Sequence, residues 1–431
     1  MRRWQAAATA LAITIPLTVS GCGGGDSGSE ASGDKTLTLW HFEDPSAATA
    51  IAWNEAIKVF ESETGAKVKF EAKSFEQTRS TASQVLNSKE APDILEYPKG
   101  NATAGLLSSQ GLLTDLTPQV EKRGWNKSIT GSLATTSQYD DKGIMGSGPW
   151  YGVTNYGEFV QVYYNKDMFA KHGVEVPTTF DGFVTALQKF KSAGITPLAE
   201  AGGEYPLGQL FYQLALTKAD RAWVDAYQLY KGTVDWHGPQ LTFAATTLKD
   251  WIDKGYIDKN ATALKAQDME NAFVAGKHPI MVSGSWWQGT IAKDAKFDWG
   301  TALFPGSAMA MGSGGNLWVV PTNSQDKELA YTFIDITLRP AIQNILGDKG
   351  SVPVSADLAA IKDPKSKELI QNFKTVNDRN GLAFYPDWPT PTFYDQLVAA
   401  TQGLMTGSLT PDAMLTQLGG QYESGVQSIT K

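Results

Sequence analysis

The chain begins with an apolar run, Ala6 to Val19 behind Arg2 and Arg3, and takes on the patterning of a folded body only after residue 36. "LTLW" at Leu37 to Trp40 predicts a short strand. Beyond Pro45 and Ser46, Trp53, Ala56, Ile57 and Phe60 recur at i, i+3, i+4 and i+7, one buried helical face that Gly65 closes. "KVKFEA" alternates as a strand, Ser80 to Asn87 is compatible with a helix, and "APDILEY" supplies a third strand at Ile94 to Tyr97. Strand, helix, strand, helix, strand is the order of a parallel α/β sheet, whose loops gather at the strand C-terminal ends. A ligand is therefore expected near Glu43 and Asp44, Phe75 and Glu76, and Glu96 to Asn101.

From Phe159, "FVQVYYN" predicts a long β-rich segment, and Phe180, Phe183, Val184, Leu187 and Phe190 mark an amphipathic helix. "ADRAWVDAYQLY", "TTLKDWIDKGYI" and "MENAFVAG" predict further helices. Short strands return at "PIMVSG", "WGTALF" and "LWVVP", with helix again from Lys327 to Leu338. No repeat period is visible.

The N-terminal apolar run is short for a bilayer span and has the layout of a signal peptide over residues 1–21. Cys22, the only cysteine, follows Val19-Ser20-Gly21 in a pattern that resembles the lipobox of bacterial lipoproteins. This predicts a lipid anchor on Cys22. The Gly/Ser-rich tether that follows, to residue 36, holds the body roughly 20 Å from the membrane. A lone cysteine excludes an internal disulfide or a multi-cysteine metal site. Loss of Arg2 and Arg3 with the leader takes the formal charge from −8 to −10, which argues against a nucleic-acid partner.

His41, His172, His237 and His278 are scattered, never at metal-ligand spacing, and no nucleophile elbow, phosphate loop or dinucleotide fingerprint is present. No metal, cofactor or catalytic residue is expected. What recurs is a carboxylate or amide beside an aromatic ring in loops: Glu96-Tyr97, Tyr156-Gly157-Glu158, Glu204-Tyr205, Trp286-Trp287-Gln288, Asn316-Leu317-Trp318 and Asp387-Trp388. With 13 Trp, 15 Tyr and 18 Phe there are rings enough for a core and a cleft together. A sugar has an apolar C–H face and a rim of hydroxyls, which such pairs suit.

Several segments, in order, then resemble the extracellular solute-binding proteins of family 1, the maltose-binding-protein-like receptors of ABC sugar importers. They are "APDIL", "YYNKDMFAKHGVEVPTTFDGFVTALQKFKSAGITPLA", "NAFVAGKHPIMVSGSWW" and, more loosely, "LFPG" and "MTGSLTPDAML". The resemblance implies two α/β lobes around a ligand cleft, one at 37–156 plus 306–338 and the other at 157–305 plus 339–431, with crossings near Tyr156, Phe304 and Leu338. By position it implies ligand contacts from Glu43, Asp44, Glu96, Tyr97, Glu158, Glu204, Tyr205, Trp286 and Tyr394. Tyr156, Trp318 and Trp388 join them from the ring-and-acceptor pattern.

Gly202 and Gly203 are expected to free the backbone so that Glu204 and Tyr205 meet one sugar ring, with Trp286 as the stacking platform and Trp287 in the core. The expectation is a monomeric, lipid-anchored receptor that delivers an oligosaccharide, of the xylo- or cello- type, to ABC permease subunits. The alternative is a secreted glycoside hydrolase, which also needs carboxylates in an aromatic cleft.

Overall fold

The computed structural model describes residues 35–43 and 45–431; the leader, Cys22, the tether and Asp44 lie outside the described residues. The chain forms an α/β protein of two lobes. In the first, β1 (Thr36–His41) pairs in parallel with β2 (Lys67–Ala72) and β3 (Ile94–Tyr97). The polar strand β2 lies at the edge, where its lysines and glutamate keep most of it in water and protect unpaired backbone groups from other chains. The helix Ala48–Thr64 covers this sheet with Trp53, Ala56 and Phe60, the stripe its periodicity predicts.

A short ribbon, β4 (Gln138–Tyr139) and β5 (Met145–Trp150), precedes β6 (Val153–Thr154), which takes the far edge of the first sheet. Asn155 alone separates β6 from β7 (Tyr156–Asn165), the long central strand of the second sheet, so the chain changes lobes within one residue. All of β7 except Tyr164 is buried. Strand β8 (Leu198–Ala199) pairs in parallel with β9 (Ile280–Gly284), while β9 and β10 (Trp299–Ala302) flank β7 antiparallel. The helix Pro206–Leu216 is buried at every position and packs on Pro239–Asp253.

The return passes lie close to the first one. Strand β11 (Gly312–Gly314) pairs with β7, and β12 (Leu317–Val319) then joins β3 and β6. This lobe change falls at 314–317 rather than near Phe304. Helix Pro340–Asp348 packs against Ala48–Thr64 of the first lobe, and β13 (Val352–Pro353) then pairs with the start of β7. The chain therefore stays with the first lobe ten residues beyond Leu338. Burial of Ile342 and Leu346 on that helix is the physical reason. Among the described residues no helix is long and apolar enough to cross a membrane, and no group of three or more His, Cys, Asp or Glu residues could hold a metal ion.

Candidate functional site

A cleft of about 250 Å³ opens between the lobes. Its first-lobe wall comes from the ends of three adjacent strands: Phe42 and Glu43 after β1, Phe75 and Arg79 after β2, and Lys99 after β3. Ser74 accepts a hydrogen bond from the Gln77 amide at 3.1 Å and so caps the helix Phe75–Leu86. That cap sets Phe75 at the start of the helix and Arg79 one turn on, both at the cleft.

On the second-lobe side, β9 ends at Gly284 and the chain makes a tight helical turn over Ser285–Trp287. A methyl group at Gly284 would lie 1.9 Å from the Trp286 ring, so only glycine lets that ring fold back over the backbone. Trp286 is half-buried and lines the cleft, with Tyr205 edge-on at 6.0 Å and Tyr385 at 6.2 Å between ring centroids. Trp287 lines it too. The expectation of one inward and one outward ring assumes an extended chain; in a helical turn both reach one side, while the Trp287 indole also donates to Ser283 Oγ at 3.1 Å.

Tyr205, Glu158, Glu43, Trp388 and Tyr394 also line the cleft. Five predicted residues do not. Glu204 accepts from the Ala266 amide at 3.0 Å, and Gly203 is glycine because a side chain would strike the Leu264 carbonyl at 2.8 Å. The two glycines thus serve close backbone approach, and Glu204 ties the loop to the helix Ala266–Val274. Tyr97 is buried in the core. Trp318 lies in the first-lobe core, its ring 5.7 Å from Trp53 and 5.4 Å from Phe333. Its place in β12, inside the sheet, overrides the glycine turn before it.

Glu96 and Tyr156 stand behind the cleft wall. The Tyr156 hydroxyl lies 3.4 Å from Glu43 Oε1 and from Glu96 Oε1, and receives the Asn316 backbone and side-chain N–H groups, both at 3.1 Å. Burial raises both Glu43 and Glu96, Glu96 well above the usual carboxylate range, with the charge of Glu43 adding to the effect. Their mutual hydrogen bond requires one shared proton. In front of them Lys99, between the lobes, forms a buried ion pair with Glu158, and its ammonium also reaches Asn316 Oδ1 at 3.3 Å. Burial lifts Asp387, on the opposite wall, to about 6.

Sequence reasoning missed Arg79, Gln209, Gln267, Thr290 and Tyr385. Arg79 bonds Glu76 at 3.1 Å and reaches across the mouth to Asp395 at 3.0 Å, its guanidinium 4.2 Å above the Tyr394 ring. The Tyr394 hydroxyl donates in turn to Glu76 Oε1 at 2.5 Å. Phe75 completes the contact, edge-on to Tyr205 at 6.4 Å.

Just past β8, outside the cleft lining, burial lifts the Glu200 carboxyl from 4.5 to about 8. A raised acid pKa contributes stability that is complete below the unfolded value near 4.5 and is lost as pH rises toward 8. The melting temperature should fall between pH 5 and 8, and Glu200→Gln, neutral throughout, should make that fall shallower. Melting curves at half-unit steps check this; equal slopes in parent and variant refute it.

The family model for bacterial extracellular solute-binding proteins matches residues 41–344. The chain belongs to this family. It is a receptor rather than an enzyme, and nothing in the family supports the hydrolase alternative. It is 26% identical over 306 residues to a probable sugar-binding periplasmic protein of Rhizobium meliloti, covering 68% of this chain and 67% of that one. It is also 26% identical over 423 residues to the diacetylchitobiose binding protein DasA of Streptomyces coelicolor, covering 89% of the receptor and 93% of the relative. A solved chitin oligosaccharide binding protein superposes with a TM-score of 0.79 at 24% identity, over 92% of the receptor and all of that chain, which shows the two-lobed fold.

Proposed function

We propose that this receptor captures an oligosaccharide of two or three rings, closes its lobes around it, and delivers it to the permease subunits of an ABC importer. The observation that supports this most is that flat rings and hydrogen-bond acceptors face one cleft from both lobes: Phe42, Phe75 and Glu43 from one, Trp286, Trp388 and Asp387 from the other. A sugar touching both walls binds the closed form better, and that difference moves the population. A β-1,4-linked chain is extended and offers successive ring faces for stacking, which suits xylo- and cello-oligosaccharides and, by the same linkage, chitin oligosaccharides. Among its relatives one is named for diacetylchitobiose and one solved neighbour for a chitin oligosaccharide.

Melting curves with xylotriose, cellotriose, triacetylchitotriose and maltotriose test the reading. A ligand at a hundredfold excess over its dissociation constant stabilises by about 2.7 kcal/mol. No shift with any of the four would defeat the sugar assignment, and new reducing ends would favour the hydrolase.

The receptor acts as a monomer held at the outer face of the cell membrane through lipid on Cys22, which a Gly/Ser-rich stretch separates in sequence from the folded body. Cys22→Ser should release the protein into the medium with its sugar affinity unchanged. Fractionation of cells checks this; a variant that stays with the membrane refutes the anchor.

A further inference from the structure

Among the described residues three side-chain amides line the cleft, and they differ in what they already hold. Asn316 is used on both sides, its oxygen by Lys99 and its nitrogen by Tyr156. Gln267 donates to Glu270 Oε2 at 2.8 Å. Gln209 has a buried Oε1 with no partner among the described residues, although the residue is only 5% exposed. It lies one turn into the helix Pro206–Leu216, its backbone N–H bonded to the Tyr205 carbonyl at 3.0 Å, so it follows directly on the ring that braces Trp286. One turn further, the fully buried Gln213 is satisfied at both ends: its Nε2 donates to the Met309 carbonyl at 3.2 Å and its Oε1 accepts from the Met311 amide at 3.3 Å. The same residue type on the same helix therefore has a satisfied amide oxygen at 213 and an unsatisfied one at 209.

An unpaired buried acceptor is costly to a fold, and a leucine or methionine would fill the space without that cost. We propose that Gln209 is a specificity-determining residue: its free carbonyl oxygen accepts a hydrogen bond from an O–H or N–H donor on the sugar ring stacked at Trp286. This rests on the sugar-receptor reading. A site built around such a bond discriminates strongly against rings that lack the donor, because the amide is then left unpaired again. Both a ring hydroxyl and an acetamido N–H supply the donor, and a matched pair of trisaccharides separates them.

The experiment titrates cellotriose, xylotriose and triacetylchitotriose into the parent, Gln209→Met and Gln213→Met, by calorimetry, with melting temperatures of the sugar-free proteins alongside. Gln209→Met should melt at or above the parent yet bind the parent's preferred sugar at least tenfold more weakly, while Gln213→Met should melt lower. A loss confined to triacetylchitotriose identifies the acetamido N–H as the donor, and a loss shared with cellotriose identifies a hydroxyl. Parental affinity in Gln209→Met overturns the proposal, as does a melting loss matching that of Gln213→Met. If the parent binds none of the three sugars, its own titration shows that the sugar reading has failed, and the proposal falls with it.

Discussion

Replacing Trp286 with alanine should weaken sugar binding roughly 30-fold or more, with little change in melting temperature. Truncating an aromatic anchor at the centre of a binding site typically costs about 2 kcal/mol or more, and 1.4 kcal/mol is a factor of ten. Trp286 is half-buried, held between Tyr205 and Tyr385, and its exposed part faces the cleft. Removing it takes more from a ligand than from the fold. Trp287 provides the contrast, since its indole is hydrogen-bonded to Ser283 and it packs in the cluster of Tyr163, Met281 and Ile291. Trp287→Ala should cost about 3–5 kcal/mol of stability, as large-to-small changes of buried aromatics do, and some affinity as well. Calorimetry and melting curves on the two variants separate these effects. If Trp286→Ala binds like the parent, the stacking platform is another ring of the cleft, and Trp388 becomes the next to change.

Lys99→Met should destabilise the protein as much as Trp287→Ala, by about 3–5 kcal/mol. That is the usual cost of breaking a buried ion pair by removing one partner, because the remaining charge has neither water nor a counter-ion. The side chains of Lys99 and Glu158 are only 4% and 7% exposed. The Lys99 ammonium also lies 5.4 Å from the Tyr385 ring and 5.5 Å from that of Trp388, so its loss removes favourable cation–ring contacts too. Lys99→Met with Glu158→Gln should recover a good part of the loss, since the stranded carboxylate is then gone. Denaturant unfolding of the single and double variants measures this. A single variant no weaker than Lys58→Met, a change at an exposed lysine, would show that the pair is not needed.

The first lobe was legible because its patterns are regular: the Trp53, Ala56 and Phe60 stripe announces one buried helical face, and the alternation in "KVKFEA" announces a strand, although at the sheet edge none of its residues is fully buried. The helix Pro206–Leu216 was not singled out because it is apolar on every side, and a segment buried all round carries no period. Gln209 was hidden with it. Arg79 escaped because the helix was begun at Ser80, although Ser74 three residues before Gln77 is the pattern of a capped start. Trp318 and Trp286 both follow glycines near a strand, and only the sheet order, which places β12 between β3 and β6, separates a core ring from a cleft ring. Glu204 looked like a ligand acceptor because a carboxylate in a loop gives no sign that a distant backbone amide has already claimed it.

The clasp at the mouth of the cleft has a consequence for timing. Arg79 is mostly shielded, but its partner Asp395 is 69% exposed, so the bond that joins the lobes there lies in solvent-accessible space. An ion pair so placed contributes little on its own, about 0–1 kcal/mol, and that little is screened by salt. Ionic strength should therefore act on how long the mouth stays shut once a ligand is inside, more than on how readily the ligand is found. In fresh water the receptor would hold its cargo somewhat longer and in brine let go somewhat sooner, a change of at most about a few-fold in the waiting time available for meeting a permease.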